Sequence, residues 1–257
     1  MINIKSSREI DIMRKAGKIA GNALKIAGEM IEAGISTKKI DAQIKKFIES
    51  NGAKPSFYGY GGEGGKFPGN SCISINDEVI HGIPGDNIVL KDGDIVKIDI
   101  GAFLNGYHGD CANTFYCGNK NLMPDDIKKL IGVTEQSFFE GIKYAAAKNR
   151  VGDISAAIQA YAEKHGFSVV RNYIGHGVGA KLHEKPDVPN FGSPGRGQRL
   201  LENMTIAVEP MVNAGGYEVK VSDDKWTVKT ADGKLSAHYE HTVLILKGGY
   251  ELLTLIE

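Results

Sequence analysis

The sequence predicts an α+β fold made of two similar halves, with helices packed outside a curved antiparallel sheet. Three observations predict it. A pair of amphipathic helices is followed by a run of strands, and this order occurs twice, unlike the strict alternation of βαβ units. Ile40, Ile44, Ile48 and Gly52 match Ile154, Ile158, Ala162 and Gly166 at one constant offset. Leu90, Val96, Ile98 and Asp99 match Leu200, Ile206, Val208 and Glu209 at another, so both halves place a carboxylate at the end of an apolar strand. A single domain over residues 1–257 is expected, with halves at about 6–118 and 124–250 and a site at their seam.

The elements follow in order. Ser6 and Glu9 have the spacing of a capping box, and apolar residues from Ile10 to Met30 recur every three or four positions, which predicts a long first helix. A second helix runs from about Ser36 to Asn51, closed by Gly52. The stretch Gly59 to Gly69 is too rich in glycine to hold regular structure and reads as a loop. Strands are expected at Cys72–Asn76 and Ile95–Ile100. Asn105-Gly106 signals a tight hairpin, with Tyr107–Tyr116 returning as the partner strand. Helices resume from Pro124 to about Lys148 and from Asp153 to His165. Four more strands are expected at Ser168–Tyr173, Met204–Glu209, Ala237–Leu246 and Tyr250–Ile256.

Composition narrows the function. Lys+Arg and Asp+Glu are both 31, which leaves no basic excess for nucleic acid. Three cysteines, Cys72, Cys111 and Cys117, form no disulfide framework or thiolate zinc motif, so a reducing, cytoplasmic setting is expected. Met1 to Ser7 lacks the apolar core of a signal peptide, and no apolar run is long enough to span a membrane.

Several polar residues are poorly explained by packing. Asp99 follows Val96-Lys97-Ile98 on a strand that otherwise reads as buried, where a lone charge is costly. If Asn105-Gly106 forms a two-residue loop, Asp99 faces Ala112 and Asp110 lies diagonally across, roughly 7–8 Å away. Taken alone, that pair fits a solvated hairpin equally well. His176 sits among glycines in Ile174-Gly175-His176-Gly177-Val178-Gly179. Glu209 ends an apolar strand and precedes Pro210, and Glu240 stands ahead of Val243-Leu244-Ile245-Leu246. Together these are four carboxylates and one imidazole. Hard oxygen donors dominate, a set that suits two divalent ions such as Mn²⁺, Fe²⁺ or Co²⁺ and tolerates Zn²⁺. Paired ions can activate water and polarise a carbonyl.

The motifs resemble those of methionine aminopeptidases of the type I, bacterial kind, in peptidase family M24. The resemblance covers nearly the whole chain. It is carried by Glu78-Val79-Ile80-His81-Gly82-Ile83-Pro84, Asp92-Gly93-Asp94-Ile95-Val96 with Asp99, Gly106-Tyr107-His108-Gly109-Asp110, Gly175-His176-Gly177-Val178-Gly179 with His183-Glu184, Glu209-Pro210, and Trp226-Thr227-Val228 followed by Tyr239-Glu240-His241-Thr242. It implies the pita-bread fold with pseudo-twofold halves. It implies metal ligands at Asp99, Asp110, His176, Glu209 and Glu240, with Asp110 and Glu240 shared between two ions. His81 and His183 then contact substrate, Glu209 carries a proton in catalysis, and Phe67, Cys72, Leu182 and Trp226 form a pocket for a methionine side chain. The implied activity is removal of the N-terminal methionine from peptides and nascent chains when the second residue is small. Association with the ribosome is a further partner the family allows, and with no dedicated interface in the sequence a monomer is expected. The chain departs from the common pattern at Ile80, Leu182, Asn203 and the glycine run at 59–65. The competing readings are an Xaa-Pro peptidase of the same fold and a non-catalytic binding relative. The first usually carries an extra N-terminal domain, and the second loses metal ligands.

Overall fold

The computed structural model describes residues 2–256. Ser6 caps the first helix, α1 (Ser7–Glu29), by accepting the Glu9 N–H while the Glu9 carboxylate accepts the Ser6 N–H. Helices α2 (Thr37–Ser50), α3 (Asp125–Ile142) and α4 (Val151–Lys164) complete the helical layer. Gly52 and Gly166 lie just past α2 and α4 with φ of +73° and +87°, the left-handed turn that ends a helix.

Nine strands form the main sheet. In chain order they are β1 (Lys54–Pro55), β2 (Cys72–Ile75), β3 (Ile95–Leu104), β4 (Tyr107–Tyr116), β5 (Gly175–Gly177), β6 (Glu184–Val188), β7 (Thr205–Val208), β8 (Glu240–Leu246) and β9 (Gly249–Leu252). The spatial order is β1-β3-β4-β8-β7-β5-β6, with β2 beside β3 and β9 beside β8, and all pairs are antiparallel. The sheet curls into a half barrel of the pita-bread type, with its helices outside.

Each half has its own core. Ala20, Leu24, Ile40, Ile44 and Ile48 of α1 and α2 pack on Val96, Ile98 and Ile100 of β3. Leu130, Phe138, Ile154 and Ile158 of α3 and α4 pack on Ile206, Val208, Val243 and Ile245. Alternation along β3 turns Lys97 and Asp99 to the face opposite that core. The register across Asn105-Gly106 is the expected one. Leu104 pairs with Tyr107, so Asp99 faces Ala112 and Asp110 faces Gly101.

Six expectations need correction, and one small sheet adds to them. The glycine stretch contains a small hairpin, Gly61–Gly62 against Gly65–Lys66. Helix α3 stops at Ile142, because Ala146 bridges to Leu246 and the Ala147 N–H bonds to the Leu246 carbonyl. The segment from Ala237 is not one strand. Ser236–His238 pairs with Met211–Asn213 in a separate sheet, and the chain switches at Tyr239 into β8. The strands at Ser168–Val169 and β9 are shorter than expected, and Asp99 lies inside its strand rather than at the end. Strands at Glu78–Ile80, Val219–Val221 and Val228–Thr230 form a third small sheet that the sequence did not announce. Among the described residues, no helix is long and apolar enough to cross a membrane.

The cap of α1 makes two predictions. Ser6→Ala should cost about 1 kcal/mol in chemical denaturation. Hydrogen bonds from Ser6 and Tyr107 hold the Glu9 carboxyl down at about 2, from an ordinary 4.5. A value lower in the folded state contributes stability above pH 4.5 that fades as pH falls toward 2. Glu9→Gln should therefore melt below wild type at pH 7, with the gap closing at pH values near 2.

Candidate metal centre

Strands from both halves converge on one cleft of about 300 Å³. From the first half β3 supplies Asp99 and β4 supplies Asp110. From the second β5 supplies His176, the residue after β7 is Glu209, and the first residue of β8 is Glu240. Asp110, His176, Glu209 and Glu240 are buried, and the partly exposed Asp99 still has a shielded Oδ1. Asp110 is fastened across the seam, since its N–H donates to Thr242 Oγ1 at 3.0 Å and its carbonyl accepts from the same hydroxyl at 2.9 Å.

The cluster is short of positive charge. Asp99 Oδ1, Asp110 Oδ1 and Glu240 Oε1 are buried without a hydrogen-bond partner. Burial lifts the Asp110 carboxyl to about 7, partly opposed by the Cys111 N–H. Burial, then the neighbouring carboxylates, push Asp99, Glu209 and Glu240 well above the ordinary range. His176 is held neutral, lowered to about 3 by burial and then by the nearby His183. Its Nδ1 bonds to the Gly177 carbonyl at 2.9 Å, which makes Nδ1 the protonated nitrogen and leaves the Nε2 lone pair facing the acids. That Nε2 lies 3.5 Å from Glu209 Oε1 and 3.9 Å from Asp110 Oδ2. Unpaired acids around a neutral imidazole fit a divalent cation.

Two triplets can each offer donor atoms within 4.8 Å of one another: Asp110, His176 and Glu240, and also Glu209, His238 and Glu240. His238 was not among the residues singled out from sequence. Both its ring nitrogens are buried and unpaired, and Nε2 lies 3.9 Å from Glu209 Oε2 and 3.9 Å from Glu240 Oε2. Its spacing of two from Glu240 was the available signal.

Beside the acids lies an apolar wall. Phe67, Cys72 and Leu182 form one buried cluster with Phe57, and Trp226 packs edge-on against Phe67 with ring centres 5.1 Å apart. The glycine hairpin lies flat on Trp226. A Cβ on Gly62 or Gly64 would come within 2.5 Å of the indole. His81 and His183 stand at the rim. His81 adopts φ +60°, a strained conformation for a side-chain-bearing residue, and burial and then His183 lower its ring to about 4. Tyr60, also missed in the sequence, hydrogen-bonds to His183 Nδ1, and the His183 ring stands edge-on to His176 with centres 4.2 Å apart. The structure thus brings every residue singled out from sequence to one cleft.

Fold and cleft together fit a metal-dependent hydrolase. The sequence profile of metallopeptidase family M24 matches residues 11–247. A methionine aminopeptidase of Clostridium perfringens is 55% identical over the full length of both chains. Methionine aminopeptidase 1 of Bacillus subtilis is 51% identical over 99% of each. The crystal structure of methionine aminopeptidase from Thermotoga maritima superposes with a TM-score of 0.95 at 41% identity, covering 99% of each chain. The chain belongs to metallopeptidase family M24, and within it to the methionine aminopeptidases of the bacterial kind.

The raised carboxyl values carry a sign. The folded chain holds these protons more tightly than the unfolded chain does, so without a cation its stability should fall as pH rises from about 4 through about 7. Added Mn²⁺ should raise the melting temperature at neutral pH and flatten that slope. Melts in chelator that stay level between pH 5 and 7.5 would contradict it.

Proposed function

We propose that the chain removes N-terminal methionine from peptides and nascent chains in the cytoplasm, acting when the second residue is small. One observation carries this reading: a cluster of unpaired buried acids meets, in one cleft, an apolar wall of Phe67, Cys72, Leu182 and Trp226. Asp99, Asp110, His176, Glu209 and Glu240 would hold two divalent ions, drawn from Mn, Fe, Co or Zn, with Asp110 and Glu240 shared. Such ions lower the pKa of water and polarise a carbonyl oxygen.

The chain's own residues supply the rest. Phe67, Cys72, Leu182 and Trp226 bind the methionine side chain, whose flexible thioether fits an irregular apolar wall. Glu209, buried in the lining of the cleft, takes the proton of the attacking water, then returns it to the leaving amine nitrogen. His183 donates a hydrogen bond to the developing oxyanion, and His81 holds the scissile amide. His81 is neutral above about pH 4, so it can act as a donor without adding charge. A monomer suffices for this chemistry, because both halves of the site lie on one chain.

Glu209→Gln should keep a folded protein and lower kcat by about 10²–10⁴-fold. Metal analysis alongside the assay separates lost metal from lost proton transfer, and near-normal turnover with metal bound would remove the role given to Glu209. Wild-type protein should cleave Met-Ala-Ser and leave an Xaa-Pro dipeptide intact. The opposite preference would favour the proline-specific reading.

A further inference from the structure

In Leu182-His183-Glu184 the proposed function employs the first two side chains and leaves the third without a task. We propose that Lys5 and Glu184 are positioning residues that hold the turn bearing Leu182 and His183 against the pocket. This rests on the role proposed for His183.

Residues 179–183 join β5 to β6 as a succession of bends, with little backbone pairing of their own. The Gly179 N–H donates to the Lys181 carbonyl at 3.0 Å. Glu184 supplies the missing partners. Its Oε1 accepts the Lys181 N–H at 3.1 Å, and its Oε2 accepts from Lys5 Nζ at 2.8 Å and Asn3 Nδ2 at 3.0 Å. Lys5 is itself anchored, with its N–H donating to the Asn203 carbonyl at 3.0 Å and its Nζ also reaching the Asn3 carbonyl at 3.3 Å. Both charged side chains are only 4% exposed. Gly179 closes the arrangement, since a Cβ there would lie 2.6 Å from Lys5 Cε and 2.8 Å from Glu184 Oε1. On the other side the His108 N–H donates to the Gly179 carbonyl at 2.9 Å. Burial raises the Glu184 carboxyl, but the bonds from Lys5, Lys181 and Asn3 outweigh it and hold the group below its ordinary value.

Stability alone is a poor reason for such a pair. Desolvating two charges offsets most of their attraction, and an apolar pair of similar size is often as stable. What the pair fixes is direction. The next residue back is His183, whose ring meets His176 and Tyr60 at the rim of the cleft. Displacing such a group by about 1 Å can cost 10²-fold in rate.

The test is Lys5→Met, alone and combined with His183→Ala. Lys5→Met should speed amide exchange across residues 179–184 while α1 keeps its protection. It should lower kcat on Met-Ala-Ser by about 10-fold with little change in KM. In the His183→Ala background the same change should lower kcat by less than about two-fold, because the group it positions is gone. Equal losses in both backgrounds, or unchanged kcat despite a loosened turn, would overturn the proposal. If Lys5→Met does not fold, Glu184→Gln, which keeps the acceptor oxygen and removes the charge, is read in the same two backgrounds. A wild-type enzyme inactive on Met-Ala-Ser would count against the proposed function, and the exchange measurement would still judge the brace by itself.

Discussion

Four carboxylates that share one buried cleft set the terms for everything else in this molecule. They repel one another, three of them are buried and the fourth, Asp99, has a shielded oxygen, and several of their oxygens have no hydrogen-bond partner. A sheet that could relax would move them apart. This one resists, because Asp99 and Asp110 are locked by a hairpin of two ten-residue strands and Asp110 is tied to Thr242 on the opposing strand. The two helix-backed cores behind the sheet are what make that rigidity affordable.

The same constraint explains the topology. Neither half owns the whole of the proposed ligand set. The first contributes two aspartates and the second contributes His176, Glu209 and Glu240, so the site exists only where β4 meets β8. The switch of sheet at Tyr239 serves that meeting. It releases the chain from its pairing with Met211–Asn213 and delivers Glu240 to the start of β8, while His238 on the other side of the switch still reaches the acids.

What the sequence made legible follows from how local the signal was. Asp99 and Asp110 could be paired on paper because Asn105-Gly106 fixes a two-residue turn, and the turn fixes every register position behind it. Glu209 stood out because Pro210 ends its strand. The helix ends at Gly52 and Gly166 were readable for the same reason, a conformation that one residue type favours. Tyr60 was not readable, since it matters through His183, far away in sequence, while for His238 the spacing from Glu240 was the only local signal and its other partner, Glu209, is distant. The three-residue strands around Val219 and Val228 are too short to carry a pattern, and the pairing of Val228–Thr230 with Glu78–Ile80 is wholly non-local. Asn203 illustrates a middle case. It departs from the pattern that the family resemblance implies and adopts φ +66°, a conformation that asparagine tolerates better than most residues.

The hairpin lying on Trp226 has a consequence for how this pocket can change over time. Its contact with the indole is made by the main chain at Gly62 and Gly64, where even a methyl group has no room. Point substitutions at the exposed Glu63 or Lys66 would alter the rim's charge and leave the wall in place. Changing how the hairpin covers Trp226 takes a change in the number of residues between Tyr60 and Phe67. Loop length, and not only the identity of the wall residues, is therefore a variable to compare when relatives of this chain differ in the side chains they accept.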